Sequence, residues 1–191
     1  MTSTTRIPKA AIPETEVAGL LMGGELPEPA EVMWHNPVVL NSMMSFGAEL
    51  QTWDQLDEAL KAFAHMAVAS LVGCSWCLDL NYFYAHFSGI DEAKASEVPR
   101  WRESQVFTPL ERDVMDYAEA MSATPPQVTD ELSARLLDQL GAPAMVELTA
   151  VVGFANLTTR CNTALGIESQ GFSKVCALPL AQPSDRYKTS A

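Results

Sequence analysis

The sequence predicts an all-α protein, and three observations lead there. Apolar residues recur at three- and four-residue spacings from residue 30 to about residue 165, no run alternates with the period of two that a half-buried strand would show, and the periodic segments stop at helix breakers such as Ser88-Gly89, Pro125-Pro126 and Gly141. With 191 residues, 48% hydrophobic and 19% charged, the chain can bury one full core. The expected organisation is an N-terminal arm over residues 1–29, a helical domain over 30–177 and a C-terminal tail over 178–191.

In the arm, Pro8, Pro13 and Gly23-Gly24 interrupt the chain, and its single short apolar run, Val17 to Met22, suits it to pack on the body or on another subunit. From Ala30, Val32, Met33 and Trp34, then beyond Pro37 the residues Val38, Val39, Leu40, Met43, Met44 and Phe46, predict one or two core helices ending at Gly47. Trp34-His35 reads as packing and capping rather than as a binding site. Thr52 and Gln55 have capping-box spacing ahead of a long helix that carries Leu56, Leu60, Phe63, Ala64, Ala67 and Leu71 on one face.

That helix delivers the chain to Gly73-Cys74-Ser75-Trp76-Cys77, a C-x-x-C at the mouth of an apolar helix running through Tyr82, Phe83, Tyr84 and Phe87 to Ser88-Gly89. Thiols one turn apart share a face, so they can cycle between dithiol and disulfide, and a helix N-terminus stabilises a thiolate. Half of a zinc site is the weaker reading, because no second C-x-x-C or H-x-x-x-H supplies further ligands; two buried structural thiols are the other alternative. Cys74, Cys77 and Asn81 fall on one stripe, with Asn81 a turn beyond Cys77. Asp79 points elsewhere and reads as a solvated or helix-bonded carboxylate. His65, on the preceding helix, is the candidate that an approach rotated about that helix would bring toward Cys74 as a base; the alternative is a histidine hydrogen-bonded in the core or at an interface. His86 and Tyr84 are weaker candidates, and Cys161 and Cys176 read as small hydrophobes or incidental thiols.

After an exposed connection over Glu97 to Gln105, Thr108-Pro109-Leu110-Glu111 places cap, proline and acid where a helix start needs them, and Leu110, Val114, Tyr117, Ala118 and Met121 continue it. Thr129 caps the next helix, with Leu132, Leu136, Leu137 and Leu140, until Gly141; Pro143 opens another. From Met145 to about Leu165 that last helix is apolar nearly all round, which fits a central position or a subunit interface. The tail from Leu178, with Pro179, Pro183 and Asp185-Arg186, is expected to be loosely held.

A net charge of -12 and a pI near 4.5 argue against nucleic acid and anionic membrane surfaces as partners. No apolar run reads as long enough to span a bilayer and no apolar leader follows Met1, so the expected location is cytoplasmic. Four cysteines fall short of a disulfide framework, and in that setting a C-x-x-C is better read as catalytic.

The order of the motifs carries a resemblance. Leu56-Asp57-Glu58 leading through Ala67-Val68-Ala69 to Gly73-Cys74-Ser75-Trp76-Cys77, then Tyr117-Ala118-Glu119-Ala120-Met121, Val128-Thr129-Asp130-Glu131-Leu132, Val146-Glu147-Leu148-Thr149, Asn156-Leu157 and Asn162-Thr163-Ala164-Leu165-Gly166-Ile167-Glu168, resembles the carboxymuconolactone decarboxylase/alkylhydroperoxidase D superfamily over residues 30 to 175. The resemblance implies an alkylhydroperoxidase D-like helical bundle that assembles as trimers or hexamers. In the peroxidase branch it implies Cys77 as the peroxide-attacking thiol and Cys74 as the resolving thiol. That branch sets a glutamate twelve positions before the first cysteine, a histidine between the two and a histidine four after the second; this chain has Ala62, Trp76 and Asn81 there. The decarboxylase branch lacks the cysteine pair.

The function expected from these residues is a cofactor-free thiol oxidoreductase, a slow hydroperoxide reductase, with catalytic Cys77, Cys74, Asn81 and His65, no metal, and a dithiol protein as reductant. A redox-sensitive helical oligomer that binds a partner without catalysis is the alternative, and a lactone decarboxylase-like enzyme the second.

Overall fold

The computed structural model describes residues 5–184, within which the chain forms eight α-helices and two short 3-10 turns, with a single isolated β-bridge, Met22 to Glu25, as its only extended pairing. The helices are α1 (Glu14–Leu20), α2 (Glu28–Met33), α3 (Pro37–Leu50), α4 (Glu58–Val72), α5 (Ser75–Phe87), α6 (Glu92–Ala95), α7 (Pro109–Ser122) and α8 (Asp130–Leu165). The all-α expectation holds.

α4 is the axis of the bundle. Asp57 caps it, its carboxylate accepting from the N–H groups of Ala59 and Leu60, and Ala64, Ala67 and Ala69 keep its surface thin enough for α5, α7 and α8 to pack around it. Phe63, Ala64, Met66, Ala67 and Val68 have essentially no exposed surface. At the other end Gly73 takes a left-handed conformation (φ 79°), and the chain turns at once into α5. The capping box expected at Thr52 and Gln55 is not formed. Thr52 donates to Glu49 O at the end of α3, and the Gln55 N–H donates to Glu147, so the aspartate two residues on does the capping.

α7 starts with the capping box of Thr108 and Glu111, and Thr129 caps α8. α8 is broken where the sequence indicates. Gly141 (φ 76°, ψ 165°) occupies a conformation open essentially to glycine alone, two residues before Pro143. By length and composition α8 is long and apolar enough to cross a membrane, contrary to the expectation above, because Gly, Ala, Thr and Asn dilute its apolar pattern without making it hydrophilic. Its Leu148, Val152, Ala155 and Thr159 are buried in the bundle, and Glu147 pairs with Lys61 of α4 at 2.8 Å. Burial works to raise the Glu147 pKa, but the Lys61 ammonium and the N–H groups of Gln55 and Leu56 outweigh it and hold the carboxyl below its ordinary value.

Three further expectations are corrected. α2 is a core helix, with Pro29, Ala30 and the fully buried Val32, but α3 is not: only Leu40 and Leu50 of α3 are buried, Val38 is 75% exposed, and the helix runs through Gly47 to Leu50, with Gly47 against the Phe154 ring, where a side chain would crowd it. With Leu20 and Ala30, Leu40 forms a second, smaller cluster, against which Trp34 and Met44 pack, while His35 Nε2 meets Pro8 O at 2.8 Å. Residues 97–105 are not an exposed connection: Val98, Pro99 and Trp101 are buried by a 3-10 turn, and the Trp101 indole donates to Glu119 at 2.6 Å. The tail is held as far as residue 184 by Tyr82 OH to Leu178 O (2.7 Å), Ala181 N to Ser96 O (2.9 Å) and Ser184 N to Pro99 O (3.2 Å). Met1 to Thr4 and Asp185-Arg186 lie outside the described residues.

Candidate active site

Cys74 is the N-cap of α5 and Cys77 lies in its first turn, so both sulfurs sit at the end where the unpaired N–H groups of the helix gather. The Cys77 N–H points at Cys74 Sγ (3.2 Å), the two cysteines are joined as a disulfide, and both are almost wholly buried. Only Cys77 opens on the cavity described next; Cys74 lies behind it.

That cavity, about 610 Å³, lies between the bundle and the arm. On its bundle side are Cys77, Asn81, His65 and Ala62; on the other, Leu20, Met33, Met43 and Met44. Three of the four candidate site residues, Cys77, Asn81 and His65, therefore share one chamber, and the fourth, Cys74, is bonded to the first. Ala62 and Trp76, two of the positions where the peroxidase branch has its acid and base, line it too.

Within this chamber the proton-transfer chemistry is sparse. Asn81 turns its amide back on its own helix, donating to Cys77 O at 2.7 Å. The half-buried His65 ring packs edge-on against Phe154, and desolvation pushes its pKa down to about 4, so near neutral pH it is an uncharged and very weak base. His65 lines the chamber, whereas Cys74 does not.

Two residues escaped the sequence reading. Asn162, at the end of α8, is buried, lines the chamber and donates from Nδ2 to Cys77 Sγ at 3.4 Å, while its Oδ1 has no partner among the described residues. Its signal was present in the Asn162-Thr163-Ala164-Leu165-Gly166 motif, but nothing local distinguished it from a helix-end asparagine. Asp79 is the other. Far from being solvated, it is 4% exposed and receives Ser169 Oγ (2.7 Å), Gly171 N (2.7 Å), Phe172 N (2.9 Å), Ser173 N (2.8 Å) and Ser173 Oγ (2.5 Å). Burial acts to raise its pKa, yet these donors outweigh it and hold the carboxyl below its ordinary value. Asp79 thus locks the thiol helix to the turn that follows α8. The next link is Gln170, which accepts from Trp76 Nε1 (2.8 Å) and Glu28 N (2.7 Å) and so joins the same turn to the arm.

Residues 37–120 match the carboxymuconolactone decarboxylase family. The uncharacterized protein YnjA of Escherichia coli (strain K12) is 35% identical over 120 residues, 63% of this chain and 66% of YnjA, so the match spans just under two thirds of that relative. An alkylhydroperoxidase AhpD core, an uncharacterized peroxidase-related protein from Ralstonia eutropha JMP134, superposes with a TM-score of 0.79 over 94% of this chain and all of its own, at 15% identity. The chain thus carries a carboxymuconolactone decarboxylase-family region on an alkylhydroperoxidase D-like fold. That fold also serves the debrominase Bmp8, with a TM-score of 0.71 at 20% identity, covering 79% of this chain and 81% of Bmp8. The family match together with a bonded cysteine pair is compatible with redox chemistry.

Proposed function

We propose that this protein is a cofactor-free thiol oxidoreductase that reduces an organic hydroperoxide slowly, using Cys77 as nucleophile and Cys74 as resolving thiol. The observation that carries this reading is the asymmetry of the pair: of the two bonded sulfurs, only the Cys77 side faces the chamber. The Cys77 thiolate attacks the distal oxygen of R–O–O–H and forms the S–O bond as the O–O bond breaks, leaving Cys77–SOH and an alkoxide that takes a proton to become R–OH. Cys74–SH then displaces water to close the disulfide. An external dithiol protein returns two electrons and two protons to the pair. The helix N-terminus and the Asn162 amide stabilise the thiolate, whereas neither Asn81 nor the uncharged His65 is a good base at neutral pH, which makes the reaction slow.

The test is to reduce the protein, add cumene hydroperoxide, and follow free thiols and the Cys74–Cys77 linkage by mass spectrometry alongside peroxide consumption. Stoichiometric disulfide formation, lost in Cys77→Ser, is expected; peroxide loss with both thiols still free would overturn the mechanism. Turnover of a lactone acid that survives Cys74→Ser/Cys77→Ser would instead identify the decarboxylase reading.

A further inference from the structure

We propose that His86, Glu92 and Cys176 form a zinc site, separate from the thiol chamber, that fastens the C-terminal segment to the far end of the thiol helix. His86 lies in the last turn of α5, Glu92 begins α6, and Cys176 directly follows the 3-10 turn Phe172–Val175, so three separate segments each contribute one donor. A ring nitrogen of His86, a carboxylate oxygen of Glu92 and the Cys176 sulfur all lie within 4.8 Å of one another.

The spacing favours coordination over direct pairing. His86 Nδ1 and Glu92 Oε1 are 3.6 Å apart, too far for a good hydrogen bond. It is close to the roughly 3.3–3.7 Å edge of a tetrahedron built on ordinary zinc–nitrogen, zinc–oxygen and zinc–sulfur bonds. All three residues are only partly exposed, so small side-chain rotations close the remaining gap and water can take a fourth position. One imidazole, one carboxylate and one thiolate form a mixed donor set that suits borderline zinc rather than calcium or magnesium. Charge agrees: the site places Glu92 beside a thiol that also feels Asp79, and a dication balances one carboxylate and one thiolate. Binding converts Cys176–SH to a zinc thiolate and releases one proton.

Glu92 already organises this corner, since its Oε1 accepts from Leu178 N (3.2 Å) and lies 3.3 Å from the Tyr82 hydroxyl, whose single proton goes to Leu178 O (2.7 Å). A metal here clamps the start of the tail against the helix that carries Cys77 nine residues upstream, about 13 Å along its axis.

The experiment uses full-length Cys74→Ser/Cys77→Ser/Cys161→Ser, in which Cys176 is the only thiol, titrated with cobalt(II). Saturable one-to-one binding is expected, with a sulfur-to-cobalt charge-transfer band that zinc abolishes, and with affinity falling by more than about tenfold in His86→Ala and in Cys176→Ser. Absence of the band, or a band unchanged by His86→Ala, overturns the proposal. Should the triple variant not fold, the oxidised parent protein serves, its Cys74–Cys77 pair already occupied. A zinc-induced rise in Tm lost in Cys176→Ser but kept in Cys161→Ser supports the site, and no rise refutes it.

Discussion

The Asn162 amide at the end of α8 donates to Cys77 Sγ in the first turn of α5, 3.4 Å away across 85 positions of sequence. A donor aimed at sulfur favours the charged form, and a hydrogen bond to a charged group is worth about 1.5–3 kcal/mol. Asn162→Ala should therefore raise the Cys77 thiol pKa by about one to two units in the reduced protein. The thiolate ultraviolet absorbance followed against pH reads this directly, and an unchanged titration would remove Asn162 from the site.

The relay that peroxidases of this superfamily use can be rebuilt. Ala62 and Asn81 both line the chamber, so Ala62→Glu with Asn81→His places an acid and a base beside Cys77. General acid–base catalysis contributes about two to four orders of magnitude. The parent should be slow at pH 7 and accelerate as pH rises through the thiol pKa; the double variant should be faster and less pH-dependent. Stopped-flow oxidation of the reduced proteins decides between them.

His65 gives a signature in stability. Its pKa is about 4 in the folded protein against an ordinary value near 6.5, so between these values the unfolded chain binds the extra proton. Stability therefore falls as pH drops from about 6.5 toward 4, and His65→Phe should remove part of that slope. Urea unfolding at pH 6.5 and at pH 5 measures it, above the range in which most carboxylates titrate.

Asp79 titrates lower. Its folded pKa is depressed, so the stability it contributes is present above the ordinary aspartate pKa and disappears as pH falls through the folded value. Asp79→Asn points an amide at a ring of donors and should cost about 2–4 kcal/mol at pH 7 while weakening the acid dependence below pH 4. Denaturant titrations of both proteins at pH 7 and pH 3.5 supply the comparison.

Val146 and Leu157 of α8 are 70% and 43% exposed, and Val38 of α3 is 75% exposed, so apolar side chains face outward on two helices. Covering them by self-association predicts a sedimentation mass several times the 20.8 kDa of one chain, lowered by Val146→Glu. A parent mass of one chain would refute it.

Most of the helices were legible because their signals are local: Thr108 with Glu111, Thr129, Gly73 and Gly141 each settle their own few residues of backbone. The thiol pair was legible for the same reason. What sequence could not yield are relationships over long separations. Asp79 looked solvated because its five donors come from residues 169–173, and Asn162 looked ordinary because the sulfur it faces lies on another helix. The exposed face of α3 is not legible because its Met43 and Met44 line a chamber instead of a core. The arm could be seen as something that packs, but which surface it meets depends on Gln170, far along the chain.

That chamber has two makers. Cys77, Asn81, His65 and Asn162 come from α4, α5 and α8, all part of the main bundle, whereas Leu20, Met33, Met43 and Met44 come from the arm and the two helices after it, which pack around a separate small cluster. In the proposed reaction, reactivity and recognition thus come from different stretches of the polypeptide. A library confined to the chamber-facing Met33, Met43 and Met44, which leaves the buried Val32 and the Gln170 bonds to Leu26 and Glu28 intact, is the natural place to evolve new selectivity.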